Sequence, residues 1–242
     1  MKGAGDRAQG AGETGGQLLP PAPCALPPAC RVSVIIPTLN EEARIAATIE
    51  AARTAGAHEV IVADGGSTDA TTAIASSHGA RVILGERIRA RQLNRGAAAA
   101  TGDLLIFLHA DTLLPPGAAD AAIQAGRDCG GFLVEFIEPG FRLRCVAFMI
   151  NARTRLTRAP WGDQAQFFRR DAFPGYPEMP LMEDYVLSRS MKRAAIVPLK
   201  VRTSGRRFLT KGVIRTSAIN WLIIAGYHLG IAPERLAAWY RR

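Results

Sequence analysis

Three short carboxylate-rich segments punctuate this 242-residue chain: PTLNEE at 37–42, DGGSTD at 64–69 and HADT at 109–112. Each follows an apolar run. An acidic residue delivered by an apolar strand stands at a sheet edge, where open α/β sheets bind ligands. Three such ends on one rim would repel an anion placed directly among them. They suit a divalent cation lying between protein carboxylates and a diphosphate. Asp111 follows the apolar run 104–108 and is a hard oxygen ligand for Mg2+ or Mn2+, able to neutralise a leaving diphosphate. The structural alternative is an Asp that caps a helix or forms a turn. Asp64 can accept hydrogen bonds from a base or ribose, with Gly65 and Gly66 allowing close backbone approach. Its alternative is a plain loop in which Asp69 caps the next helix. DGGSTD lacks the G-x-G-x-x-G spacing, which counts against a nicotinamide dehydrogenase.

The elements that must carry these residues follow from periodicity. The β-branched run 32–36, ending in Pro37, predicts a buried parallel strand, with further strands at 59–63, 82–84 and 103–108. Asn40 is expected to cap a helix that opens with Glu41 and Glu42 and runs to residue 53. A second helix should follow 64–69, an Ala-rich one spans 89–100, and Pro115 and Pro116 open another. Beyond Gly130 the pattern gives a strand at 131–136, a helix at 141–156, a strand at 164–168, a helix at 183–193 and a strand at 196–201. Helices at 211–229 and 233–242 close the chain. The alternation implies right-handed βαβ units and an α/β fold, with a mostly parallel sheet flanked by helices and a helical C-terminal extension.

Residues 1–30 hold six Gly and five Pro. They are expected to form a disordered tail ahead of a single domain at 31–242. Within that domain, 31–128 reads as a nucleotide-binding half, 129–204 as an acceptor half and 205–242 as basic C-terminal helices. The net charge of +9 is unevenly placed, because the last 51 residues carry eleven basic side chains against one acidic. No apolar run reaches the roughly 18 residues of a transmembrane helix. The four cysteines form no C-x-x-C pair, and reduced thiols in a cytoplasmic protein are the plain reading. Arg206 and Arg207 can clamp phosphate by bidentate hydrogen bonds. The apolar stretch 221–231, with basic neighbours, either packs inside or lies peripherally on an anionic membrane surface at the inner face of the membrane. Aromatic residues are not interleaved with the basic ones, so nucleic acid is not expected as a partner.

VSVIIPTLNEE, IVADGGSTD and RQLNRGAAAATGDLLIFLHADT occur in that order at strand–helix spacing. Together they resemble the family 2 glycosyltransferases of GT-A fold, most nearly the small bacterial subfamily described as radical-SAM/selenodomain-associated transferase 2. The resemblance continues through WGDQAQFFRRDAF and LMEDYVLSRSMKR and so covers about 32–236. It implies a metal-dependent, inverting transfer of a sugar from a nucleotide-sugar donor to an acceptor hydroxyl, the acceptor being a small molecule or lipid-linked. Pro37 and Glu41 would then border the base, Asp64 would touch base or ribose, and Arg91 and Asn94 would face the nucleotide or its phosphates. Asp111 matches the last Asp of the family's D-x-D metal motif, with Mg2+ or Mn2+ as cofactor. His109 stands where the first Asp would be, leaving one carboxylate fewer, and is expected to pack. Glu183 and Asp184 match the family's E-D pair, with Asp184 as general base. Trp161, Asp163 and Gln164 would form the acceptor or sugar pocket.

Two other functions compete. A nucleotidyltransferase on a related sheet would want a Gly-rich loop with a basic residue directly after the first strand, where this chain has carboxylates. A non-catalytic module that binds a membrane surface or a partner is the other, and the missing first Asp of D-x-D is its support.

Overall fold

The computed structural model describes residues 30–191 and 193–241. The expected tail lies outside the described residues apart from Cys30, as does Cys24. Strands β1 (Val32–Thr38), β2 (Glu59–Asp64), β3 (Arg81–Leu84), β4 (Leu104–Phe107), β5 (Thr112–Leu113), β6 (Cys129–Phe136), β7 (Phe167–Arg169) and β8 (Ala195–Thr203) form one sheet in the order β3-β2-β1-β4-β7-β6-β8-β5. The first four pair in parallel, β7 runs antiparallel to β4 and β6, and β8 lies parallel to β6. Between them run α1 (Ile45–Thr54), α2 (Thr71–Ser77), α3 (Arg89–Ala99), α4 (Ala118–Gln124), α5 (Phe141–Thr157) and α6 (Glu183–Ser190). Then come α7 (Arg206–Lys211), α8 (Val213–His228) and α9 (Pro233–Arg241).

Burial on both faces explains why β1 is an unbroken apolar run rather than an alternating one. Val32, Val34 and Ile36 point into a core shared with Ile45 and Ile49 of α1 and Ala118 of α4. Ile35 points the other way, against Ala90, Leu93 and Ala97 of α3 and Leu187 of α6. Each fully buried Ile contributes roughly 1.5–3 kcal/mol. The strand order reverses between β2–β1 and β1–β4, so the crevice beyond their carboxyl ends is the natural ligand site. A third cluster, Met182, Ile223 and Leu236, fastens α8 and α9 to the start of α6.

Several expected elements move. Asn40 does not cap α1. It takes a left-handed backbone (φ 55°), and its Oδ1 accepts a hydrogen bond of 2.8 Å from Thr68 N–H. Residues 41–44 form a turn, and α1 begins at Ile45 without a side-chain cap. The strand expected at 164–168 shrinks to β7, because Gly162–Gln164 form a 3-10 turn and Ala165 is left-handed (φ 45°). Helix α6 stops at Ser190, and the helix expected at 211–229 is split by Gly212 (φ 85°) into α7 and α8. The two-residue β5 is too short for any periodicity. It pairs antiparallel with the end of β8, where Thr112 and Thr203 share a hydroxyl hydrogen bond of 2.9 Å. No helix among the described residues is long and apolar enough to cross a membrane.

Candidate functional site

The loops after β1 and β2 close on one another. Buried Asp64 accepts hydrogen bonds from Thr38 Oγ1 (3.0 Å), Gly66 N–H (2.8 Å), Ser67 N–H (2.7 Å) and the Ser67 hydroxyl. Both of its oxygens are engaged in shaping the DGGS turn. Gln92 Nε2 donates to the carbonyls of Thr38 (2.8 Å) and Ala63 (2.9 Å) and so ties the two strand ends together. Glu41 N–H donates to Thr71 Oγ1 (2.8 Å) and Glu42 Oε2 accepts from Ala70 N–H (3.0 Å). Asp69 Oδ1 accepts from Thr71 N–H (3.0 Å) in a local turn, but the N-cap position of α2 is Ala70, so Asp69 does not cap that helix as expected. Pro37 is buried beside Ala63 in the β1–β2 ladder.

Asp111 stands beyond β4, and its carbonyl accepts from Ser204 N–H (3.2 Å) at the end of β8. That stitch brings α7 to the metal candidate. Arg206 Nη2 lies 2.9 Å from Glu41 Oε1 and 3.7 Å from Asp111 Oδ2. Burial raises the Asp111 carboxyl and Glu41 adds to this, while Arg206 pulls it down. Among the described residues no group of three or more His, Cys, Asp or Glu could hold a metal by itself. The half-buried carboxylate of Asp111, which lines the cavity, nevertheless fits a hard cation that takes most of its oxygens from a diphosphate and water. His109 Nε2 is buried with no hydrogen-bond partner, and burial holds its imidazole well below the usual range, so it is neutral.

Glu183 and Asp184 open α6. Asp184 Oδ2 accepts from Gly162 N–H (2.7 Å) and its Oδ1 from Tyr185 N–H (2.8 Å). Gly162 has to be glycine, since a Cβ there would sit 2.5 Å from Asp184 Oδ2 and 3.0 Å from His109 Nε2. Glu183 is buried and its Oε1 meets Arg89 Nε at 2.9 Å. Burial and the adjacent Asp184 raise its pKa against the pull of Arg89. Asp163 Oδ1 is buried without a donor, and burial raises that carboxyl to about 6. Beside it, the Arg153 guanidinium stacks 3.5 Å over the Trp161 ring and is pulled down by burial to about 10. Its Nη2 bonds Gln164 Oε1 (2.9 Å), while Nε and Nη1 have no partner.

A cavity of about 490 Å3 unites His109, Asp111, Arg153, Trp161, Asp163, Asp184, Arg206 and Arg207. Its volume lies in the range of roughly 300–1,000 Å3 common for small-molecule sites. Three expected site residues are turned elsewhere. Arg91 is held on the surface between Glu86 and Glu178 (3.0 Å) and does not line the cavity. Asn94 clasps the backbone of Tyr176, donating to its carbonyl (2.9 Å) and accepting from its N–H (2.8 Å). Gln164 is a buried hub. Its Oε1 accepts from Arg153, Thr154 and Trp161 N–H, and its Nε2 donates to the Phe132 carbonyl (3.0 Å), so it shapes the pocket wall from behind. Sequence reasoning missed Arg89, Gln92 and Arg153. Arg89 lies two residues from Arg91, and nothing in the string tells which of them faces α6.

Comparisons with known proteins bear on the family and the fold. Over 93 residues the chain is 41% identical to a PGL/p-HBAD biosynthesis glycosyltransferase of Mycobacterium tuberculosis, a stretch that is 34% of this chain and 36% of the relative. Over 96 residues it is 35% identical to glucosyl-3-phosphoglycerate synthase of the same organism, covering 35% of this chain and 30% of that one. The matched stretches thus span about a third of the length of these curated relatives. Among solved structures, glucosyl-3-phosphoglycerate synthase from M. tuberculosis, in complex with Mn2+, UDP and glucosyl-3-phosphoglycerate, superposes with a TM-score of 0.52 at 24% identity. That match covers 72% of this chain and 71% of that chain. S. aureus TarS gives a TM-score of 0.57 at 17% identity, covering 87% and 70%. At such identities the likeness carries the fold alone, and that fold is GT-A. Residues 33–142, which hold most of β1 through the start of α5 and all three carboxylate loops, match the family model of glycosyl transferase family 2.

Proposed function

We propose that this chain is a glycosyltransferase that moves a sugar from a nucleotide-sugar donor to an acceptor hydroxyl, with inversion at the anomeric carbon. The observation that carries the reading is the meeting of Asp111 and Asp184 in one cavity, Asp111 at the nucleotide side and Asp184 on a helix held to the 161–164 turn. The relatives named above support it, one of them having been solved with Mn2+ and UDP-glucose. Asp111 would hold the divalent cation, Mg2+ or Mn2+, which supplies neutralisation of the diphosphate when bound. The loops closed by Asp64 and Gln92 offer a preformed slot for the nucleotide, with Pro37 and Glu41 along its border.

Asp184 takes the proton of the acceptor hydroxyl. The acceptor oxygen forms its bond to the anomeric carbon as the bond to the diphosphate oxygen breaks, a single displacement that inverts the centre. Two backbone N–H groups fix the Asp184 carboxylate in position, and the Arg89–Glu183 pair anchors the same helical turn. Free thiols at Cys30, Cys129 and Cys145 suit the cytoplasm, where nucleotide sugars are made.

The test is Asp184→Asn in a transfer assay with UDP-, GDP- and dTDP-sugars and Mn2+. Donor binding is expected to stay within a factor of about two while turnover falls roughly 10²–10⁴-fold. Retained turnover removes Asp184 as the base. Failure of the wild-type protein to bind any donor overturns the transferase reading.

A further inference from the structure

The acceptor end of the cavity has a composition of its own. Arg207, half-buried at the start of α7, stacks 3.5 Å over the Tyr240 ring and forms no ion pair among the described residues. Burial lowers its pKa, and no neighbouring carboxylate counters that. A cation withdrawn from water without a counter-ion is costly unless a ligand completes it. The other two cavity arginines already face carboxylates, Arg206 beside Glu41 and Asp111, and Arg153 within reach of the charges of Asp163 and Asp184, although its Nε and Nη1 make no hydrogen bond. The wall around Arg207 is apolar. Phe208 packs edge-on against Phe136 at 5.4 Å, and Leu181, Ile224, Met149 and Trp221 continue the lining.

Met149 and Trp221 also form a mouth, since both line the cavity yet are 61% and 60% exposed. Their neighbours Phe148 (72%) and Leu222 (60%) extend the apolar surface along α5 and α8. An unpaired cation inside and an apolar lip outside are complementary to a molecule with a charged head and a hydrophobic body. We infer that the cavity takes an anionic amphiphile, its phosphate-class head at Arg207 and its apolar chain leaving between Met149 and Trp221. Its role as the sugar acceptor rests on the transferase reading above, whereas its binding does not.

The experiment is calorimetric titration of the full chain, without donor, with decyl phosphate below its micellar concentration, decyl glucoside and inorganic phosphate. Decyl phosphate should bind at least about tenfold more tightly than either comparator, the scale of a charge-assisted hydrogen bond added to buried apolar area. Arg207→Gln should bring decyl phosphate to the level of decyl glucoside, Arg207→Lys should keep part of the preference, and Trp221→Ser should weaken both alkyl probes. Equal affinity for the two alkyl probes overturns the charged head. Equal affinity for inorganic and decyl phosphate overturns the apolar chain and leaves a plain phosphate site. UDP-, GDP- and dTDP-sugars with Mn2+ are titrated into the same preparation: binding of any such donor without decyl phosphate sinks this inference alone, and binding of decyl phosphate with none of the donors sinks the transferase reading alone.

Discussion

Replacing Asp163 by asparagine probes the charge arrangement at the cavity floor. Asp163 Oδ1 is closed off from solvent and has no donor. Burial raises its carboxyl from 3.8 to about 6, with Asp184 adding to the rise and Arg153 opposing it. The native state therefore holds this proton to higher pH than the unfolded chain does. Between about pH 4 and pH 6 the folded form binds more protons, so stability falls as pH rises, and above that window the loss is complete. A rise of that size corresponds to roughly 3 kcal/mol lost by pH 8, of which about 1 kcal/mol falls between pH 5 and pH 8. The amide of Asp163→Asn carries no such linkage. Urea unfolding at the two pH values should show the wild type losing about 1 kcal/mol more than the variant. A carbon-detected NMR titration of the Asp163 carboxyl should give a midpoint near 6. Equal pH dependence of the two proteins, or a midpoint near 4, refutes the argument.

Gly162→Ala places a methyl group 2.5 Å from Asp184 Oδ2; it should lower turnover at least about tenfold with donor affinity and the circular dichroism spectrum retained, since a small misplacement of a reacting group is costly. Arg89→Met leaves buried Glu183 without its cation. It should destabilise by about 2 kcal/mol at pH 8, discounted for the exposed guanidinium, and by progressively less as pH falls, because burial and Asp184 already favour the protonated Glu183; denaturant midpoints read this. Arg206→Ala removes the cation 3.7 Å from Asp111. Mn2+ binding without donor, followed by electron paramagnetic resonance, should tighten roughly fivefold, about 1 kcal/mol at the solvent-screened end of Coulomb's law.

What the string of residues conveyed, and what it did not, divides along chain distance. The VSVII run announced a strand buried on both faces, and Val32, Val34 and Ile36 against Ile35 show why it could not alternate. The three carboxylate loops were visible because each follows its own strand. Asn40 was misplaced because its partner, Thr68, lies 28 residues away, and a residue that tolerates a left-handed backbone serves a loop as readily as a cap. Arg89 carried no signal of its own, because residues two apart on a helix point in different directions and the sequence does not say which direction faces α6. Gln164 was expected in the pocket because it lies in the WGDQ stretch of the family resemblance, yet its amide is consumed by buried backbone and side-chain partners. The cavity as a whole, assembled from residues between His109 and Tyr240, has no linear signature.

The loops tied by Gln92 and Asp64 hold each other through main-chain atoms, while the far wall of the cavity is furnished by side chains of α5, α7, α8 and α9. The chain is thereby a chassis with an exchangeable front end. On the transferase reading, rewriting the residues of α5, α8 and α9 that line the cavity, while keeping α6, the 161–164 turn and Arg206, would change which acceptor fits and leave the loops on the donor side in place. Retargeting is best attempted by substitution on those three helices.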